Sequence, residues 1–255
     1  MKNRGSNRTV SHDTLVQPGQ GSGRLIWRLT VSVLLLAGLL AAPVVRAQTD
    51  AHSPQAKPVV WVLATGGTIA GQGESPVASA YKPGAVRVEE LLKAVPEIAS
   101  VADVRAEQVA QIASQDMDVA TWLKLASRIN ELLRDPAVAG VVVIHGTDTQ
   151  EETAYFLNLT VKSVKPVVMA AAMRPPSALG SDGSRNLYNA VVCAASPLSV
   201  GQGVMIVMDD KIIGADDATK TNTLDVGAFQ DPDFGPLGIV YNSHPVFTRK
   251  SLKRH

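Results

Sequence analysis

Val59 to Gly73 reads VVWVLATGGTIAGQG, and this stretch decides the fold. Val59 to Leu63 is a continuous apolar run, mostly β-branched or aromatic, which suits a strand buried on both faces of a parallel sheet. Gly66 and Gly67 end it, because two glycines let the backbone turn tightly and let a ligand approach the main chain, with the Thr65 and Thr68 hydroxyls beside that approach. A hydroxyl at the carboxyl end of a central strand is a candidate nucleophile. A plain strand-to-loop turn has the same local pattern, so this stretch alone leaves both readings open.

The pattern repeats along the chain. Gln72 to Val86 is rich in Gly, Ser, Pro and Ala without periodicity and reads as a mobile surface loop, carrying Tyr81 either as a packing anchor or as a lid residue. Val88 to Val95 predicts a short helix stopped by Pro96, and Gln108 to Ala113 a strand. Asp116 or Asp118 caps the next helix, in which Val119, Trp122, Leu123, Ala126, Ile129 and Leu133 recur at helical spacing. Ser114 and Gln115 fall between strand and helix, as turn formers or as ligand-binding side chains. Gly140 to His145 predicts a second buried strand, which stops at Gly146, Thr147 and Asp148, the same structural address as Thr68. Thr149 and Glu152 form a capping-box pattern for a helix through Tyr155, Phe156 and Leu159, and His145 reads as a hydrogen-bonded structural histidine.

Pro166 to Ala172 gives a third strand, followed by a long loop and a helix over Leu187 to Ala195; Gly203 to Met208 gives a fourth, with Lys211 to Ala215 as a hairpin partner. Asp216 to Asp225, DDATKTNTLD, reads as a solvated loop carrying Lys220, and strand and helix no longer alternate from Phe229 onward. The fold class expected is therefore α/β, a mostly parallel sheet flanked by helices on both faces.

Composition bounds the function. At 45% hydrophobic and 18% charged, the 255 residues form a globular chain, and 4% aromatic content argues against a stacking surface for single-stranded nucleic acid. Residues 1–47 hold six basic residues against Asp13 alone, so the remainder is acidic by about four charges and has no electrostatic reason to bind nucleic acid or anionic membranes. The apolar run Leu29 to Ala42 is short for a membrane span and precedes small residues at Val45 and Ala47. Residues 1–47 are read as a secretory signal cleaved after Ala47, with an uncleaved anchor as the alternative and a start downstream of Met1 compatible with the long basic segment. Residues 48–58 follow as a flexible amino terminus of a periplasmic or secreted protein. Cys193 is the only cysteine, so no internal disulfide forms. No zinc-ligand spacing is present, and GGTIAG is neither a dinucleotide fingerprint nor a phosphate loop.

Two threonines at two strand ends, with an aspartate, a lysine and a loop tyrosine available, suit attack on a carbonyl. A threonine hydroxyl is a poor nucleophile without a base or proton relay; Lys220 is a candidate base if desolvated, and Asp148 either orients it or binds a substrate ammonium. Backbone N–H groups in the glycine turns are candidates to hold the oxyanion, a contribution of about 3 kcal/mol per donor.

LATGGTIAG (Leu63 to Gly71), ASQDM (Ala113 to Met117), HGTDTQEETAYFL (His145 to Leu157), AMRPPSALGSDG (Ala172 to Gly183) and TKTNT (Thr219 to Thr223) together resemble the bacterial type II L-asparaginases and the related glutaminase-asparaginases, in order and approximate spacing. The resemblance covers nearly everything from Val59 to about Tyr241 and implies cofactor-free hydrolysis of L-asparagine through a threonine acyl-enzyme. It implies Thr68 as nucleophile, assisted by Tyr81, and Thr147, Asp148 and Lys220 as a second catalytic group. It further implies Ser114, Gln115 and Asp148 on the substrate's α-carboxylate and α-ammonium, and backbone contacts from Gly67, Gly146 and Ala172. The alternatives are mixed glutaminase-asparaginase specificity, or a truncated, inactive exported binder of amide or acidic amino acids. The family carries a second, smaller α/β domain that supplies an acidic residue to a neighbouring subunit in a homotetramer. The expectation here is a catalytic domain over 59–241, with 242–255, ending FTRKSLKRH, as the start of a linker or an aberrant tail. The family's disulfide is not expected, because Leu132 to Arg134 and Ser163 offer no cysteine.

Overall fold

A computed structural model describes residues 56–77 and 80–251. The expected leader and most of the expected flexible segment lie outside them. The opening stretch is strand β1 (Val59–Gly66), followed by a 3-10 turn over Thr68–Ala70 and a two-stranded ribbon of β2 (Gln72–Gly73) and β3 (Tyr81–Lys82). Helices α1 (Val88–Lys93) and α2 (Ile98–Val101) lead to β4 (Asp103–Ile112), which starts five residues earlier than its alternation predicts. Helix α3 (Val119–Leu132), strand β5 (Val138–Ile144), helix α4 (Gln150–Thr160), strand β6 (Val167–Ala170), helix α5 (Gly183–Ala195) and strand β7 (Val204–Met208) complete the alternation. Strands β8 (Lys211–Gly214), β9 (Thr219–Lys220), β10 (Phe229–Gln230), β11 (Gly238–Tyr241) and β12 (His244–Phe247) follow.

The main sheet runs β12-β11-β8-β7-β6-β5-β1-β4, parallel from β4 through β7 and antiparallel beyond, and β9 pairs with β10 in a separate ribbon. Alternation sorts the strand side chains between two cores. Val60, Val62, Val142, Ile144 and Val168 face α1, α2 and α5, whereas Leu63, Val141, Val143, Val167 and Met169 face α3 and α4. Both faces are thus covered, which is why these strands read as unbroken apolar runs.

This sorting also fixes the relative hand of the connections. The crossovers β5-α4-β6 and β6-α5-β7 step the same way along the sheet but pass over opposite faces, so their hands are opposite. The connections β1 to β4, β4 to β5 and β5 to β6 share one hand, and β6-α5-β7 departs from it, an exception to the near-universal single hand of such units.

Several local expectations change. On α3, Leu125, Ala126, Ile129 and Leu132 are buried while Val119 and Leu123 are exposed, because the helix turns its face by about one residue from the predicted stripe. The cap is Asp118, whose Oδ1 accepts from the Thr121 N–H at 2.7 Å. The Thr149–Glu152 capping box does not form, since Thr149 Oγ1 donates to the Ser114 carbonyl at 2.7 Å instead. Residues 242–251 are not a tail: Asn242 and Ser243, both at positive φ (47° and 61°), make a two-residue turn that folds β12 back onto β11 as the sheet edge. Arg249 then binds the Asp231 carboxylate and the Gly235 carbonyl, tying the segment after β12 to the domain.

Candidate active site

Strand β1 connects toward β4 on one side of the sheet, and β5 connects toward β6 on the other. The carboxyl ends of β1 and β5 therefore flank a topological switch point, where open α/β sheets leave a crevice. Thr68 follows β1 and Thr147 follows β5, and both are buried. What brings the ends together is glycine. A Cβ on Gly67 would lie 2.3 Å from the Gly146 Cα, and Gly67 has φ 84°, so neither space nor conformation admits a side chain. The Gly67 N–H donates to the Ile112 carbonyl at 3.0 Å, so this glycine sets a close approach and its amide is not a spare oxyanion donor. Thr65 turns into the core and donates to the Ile144 carbonyl at 3.0 Å, a tie between β1 and β5 rather than a reactive hydroxyl.

Each buried threonine has its own polar partner. The Thr68 Oγ1 lies 2.6 Å from the Tyr81 hydroxyl, delivered by the β2–β3 ribbon that occupies the loop expected to be irregular. Gly71 makes room for that ring, since a Cβ there would sit 2.8 Å from Tyr81 Cδ2. The ribbon is held from the far side, where the Gly73 N–H donates to Ser177 Oγ at 3.0 Å and the Leu179 N–H to the Pro76 carbonyl at 3.1 Å. Lys220 Nζ donates to Thr147 Oγ1 at 2.9 Å and to Asp148 Oδ1 at 2.6 Å. The Lys220 side chain is 16% exposed and that of Asp148 59%. An ion pair this open contributes about 0–1 kcal/mol to stability, so holding the fold is a minor part of what it does. The free face of the Asp148 carboxylate is open to a cationic ligand.

Ser114 is buried beside this group. Its Oγ accepts from the Asp148 N–H at 3.1 Å, and a Cβ on Gly146 would meet it at 2.6 Å. Gln115 is on the same turn and exposed, and Ala172 follows β6 fully buried. The structure therefore unites Thr147, Asp148, Lys220, Ser114, Gly67 and Gly146 in one bonded or touching cluster, with Thr68 and Tyr81 on the adjoining strand end. Among the described residues, no hydrogen bond ties the Gln115 side chain into it.

His145 is a structural group, as read from its position. The Gly146 carbonyl can only accept, so Nδ1 (2.7 Å) carries the hydrogen, Nε2 accepts from the Thr153 hydroxyl at 3.0 Å, and Thr153 Oγ1 accepts from Trp122 Nε1 at 2.7 Å. Complete burial pushes the ring pKa from 6.5 down to about 4, so it is neutral at pH 7. Burial likewise pushes the Cys193 thiol up to about 12, which leaves it protonated. Among the described residues, no three His, Cys, Asp or Glu side chains cluster as a metal site, and no helix is long and apolar enough to cross a membrane. Sequence reasoning missed Glu151 and Ser177, which bind main-chain N–H groups of the two loops carrying Lys220 and Tyr81. Their pairings join residues 69 and 104 positions apart, and no local pattern announces them.

The domain is thus doubly wound α/β, with two polar-partnered threonines across its switch point. The chain belongs to the asparaginase family: residues 59–253 match the family model described as Asparaginase, N-terminal. It is 50% identical over 200 residues to L-asparaginase 2 of Escherichia coli, which covers 78% of this chain and 57% of that protein. It is 49% identical over 198 residues to a probable periplasmic L-asparaginase of Haemophilus influenzae, covering 78% and 56%. The crystal structure of a probable cytoplasmic L-asparaginase from Campylobacter jejuni superposes with TM-score 0.76 at 46% identity, covering 78% of this chain and 61% of that one. The chain thus spans a little over half the length of these relatives.

Proposed function

We propose that this chain carries the catalytic residues of an L-asparaginase, hydrolysing L-asparagine to L-aspartate and ammonia through an acyl-enzyme on Thr68. The single observation that carries the reading is the pairing of two buried threonines at neighbouring strand ends, Thr68 with Tyr81 and Thr147 with Lys220. The names of the relatives supply the substrate class. Thr68 Oγ1 attacks the side-chain carbonyl of asparagine, its proton passing along the Tyr81 contact, and the C–N bond breaks as ammonia leaves with one added proton. The proton that ammonia gains is the one Thr68 gave up; Thr147, bonded by Lys220, then orients a water whose hydroxyl bonds the acyl carbon while its proton goes to the departing Thr68 oxygen, which restores Thr68 and releases aspartate. Asp148 holds the α-ammonium on its exposed side, and Ser114 with Gln115 holds the α-carboxylate. Glutamine differs from asparagine by one methylene, a change that a pocket discriminates by only about 1–3 kcal/mol, so some glutamine turnover is part of the proposal.

Export to the periplasm is the accompanying proposal, supported by the leader pattern of residues 1–47 and by the periplasmic relative. The resemblance implies the family's homotetramer, and sedimentation of the full chain tests whether this chain assembles. The test of the activity is ammonia release from L-asparagine by the full chain and by Thr68→Ala. Release that the substitution abolishes while the circular dichroism spectrum is unchanged is expected. Undiminished release from the variant removes Thr68 as nucleophile, and aspartate binding without ammonia in the parent chain removes the hydrolase reading.

A further inference from the structure

Lys220 does not stand on the main sheet. It lies on β9, a two-residue strand paired with β10, with Lys220 opposite Phe229. In an antiparallel ribbon successive N–H groups point to alternate edges. The Thr221 N–H points inward, to the Ala228 carbonyl at 2.8 Å, so the Lys220 N–H points to the outer edge and needs an acceptor. That acceptor is the Glu151 Oε2, on the first turn of α4.

Residues 147–151 therefore grip Lys220 at both ends. Thr147 and Asp148 take its Nζ, and Glu151 takes its main-chain N–H. We propose that Glu151 is a positioning residue of the site: its carboxylate docks the β9 ribbon onto the start of α4, and this docking holds the lysine amine on the Thr147 hydroxyl. The inference rests on the asparaginase reading for its kinetic consequence, though not for its geometry. An acid in the first turn of a helix is also favourable to the helix dipole. The two roles separate by charge. Docking needs an acceptor oxygen, which Gln supplies, whereas the dipole contribution needs the negative charge, which Gln lacks.

The test compares the full chain with Glu151→Ala and Glu151→Gln, by kcat and KM for ammonia release from L-asparagine, by Tm, and by hydrogen exchange of the Lys220 amide followed by NMR. Glu151→Ala is expected to lower kcat ~10- to 100-fold, as a displaced catalytic group does, with KM altered by less than about threefold. Glu151→Gln restores kcat to within about threefold of the parent, and the Lys220 amide is protected in the parent and in Gln but exchanges rapidly in Ala. Unchanged kcat in Glu151→Ala, or Glu151→Gln as impaired as Ala, overturns the proposal. If the parent releases no ammonia, the asparaginase reading fails by itself, and amide protection still decides the docking: an unprotected Lys220 amide in the parent contradicts it.

Discussion

The hydroxyls of Thr68 and Tyr81 lie 2.6 Å apart, the first on the turn that ends β1 and the second on β3 of the ribbon that follows it. The ribbon brings the tyrosine back over the strand end, and Gly71 admits the ring. With Thr68 buried and its hydroxyl against Tyr81, the phenol is, among the described residues, the one side-chain group bonded to the proposed nucleophile.

Tyr81→Phe keeps the ring against Gly71 and removes only the oxygen. Removal of a positioned proton-transfer group is expected to lower kcat about 10²- to 10⁴-fold with Tm nearly unchanged. Ammonia release and a thermal melt on the same preparation check it, and wild-type kcat in the variant excludes a role for the phenol.

Thr147→Val and Lys220→Met are expected to act as one unit, because the lysine amine bonds the threonine hydroxyl at 2.9 Å. Each single variant should lose at least about 100-fold in kcat/KM, and the double variant little more than the worse single, a coupling of at least about 2.7 kcal/mol. Losses that multiply in the double-mutant cycle show that the two residues work separately.

Gly67→Ala places a methyl where the Gly146 backbone lies 2.3 Å away, at φ 84°. Both strand ends must part to admit it, so a destabilisation of more than about 1 kcal/mol, together with lost activity, is expected in denaturant titration. A variant of parental stability would mean that the two turns separate freely.

His145 makes stability depend on pH. Its pKa is about 4 when folded and 6.5 in an exposed chain, so between those values the unfolded chain binds the extra proton. The contribution is complete above pH 6.5 and is lost as the pH falls toward 4, amounting to about 3 kcal/mol. Urea titrations at pH 7.5 and 4.5 should show that loss, and His145→Asn should flatten it. An equal slope in the variant assigns the acid sensitivity to other groups.

The parallel core was legible because a strand buried on both faces must be apolar throughout, and Val59–Leu63, Gly140–Ile144 and Pro166–Ala172 each show it. The two-threonine address was legible from residue type at strand ends. The grip of Glu151 on Lys220 was not, because its pairing is set by tertiary packing and leaves no periodic trace. The β12 edge was missed for a nearer reason: Asn242-Ser243 is a two-residue turn, but it lies where strand and helix no longer alternate, and Pro245 in the returning segment is unfavourable inside a sheet. An edge position tolerates it.

The central claim is covalent chemistry at Thr68. The full chain mixed with L-asparagine and quenched in acid within one turnover should show, by intact mass and peptide mapping, one aspartyl group on Thr68, absent from Thr68→Ala. An aspartyl group mapped to Thr147, or ammonia formed at full rate with no protein adduct at any quench time, would contradict the assignment.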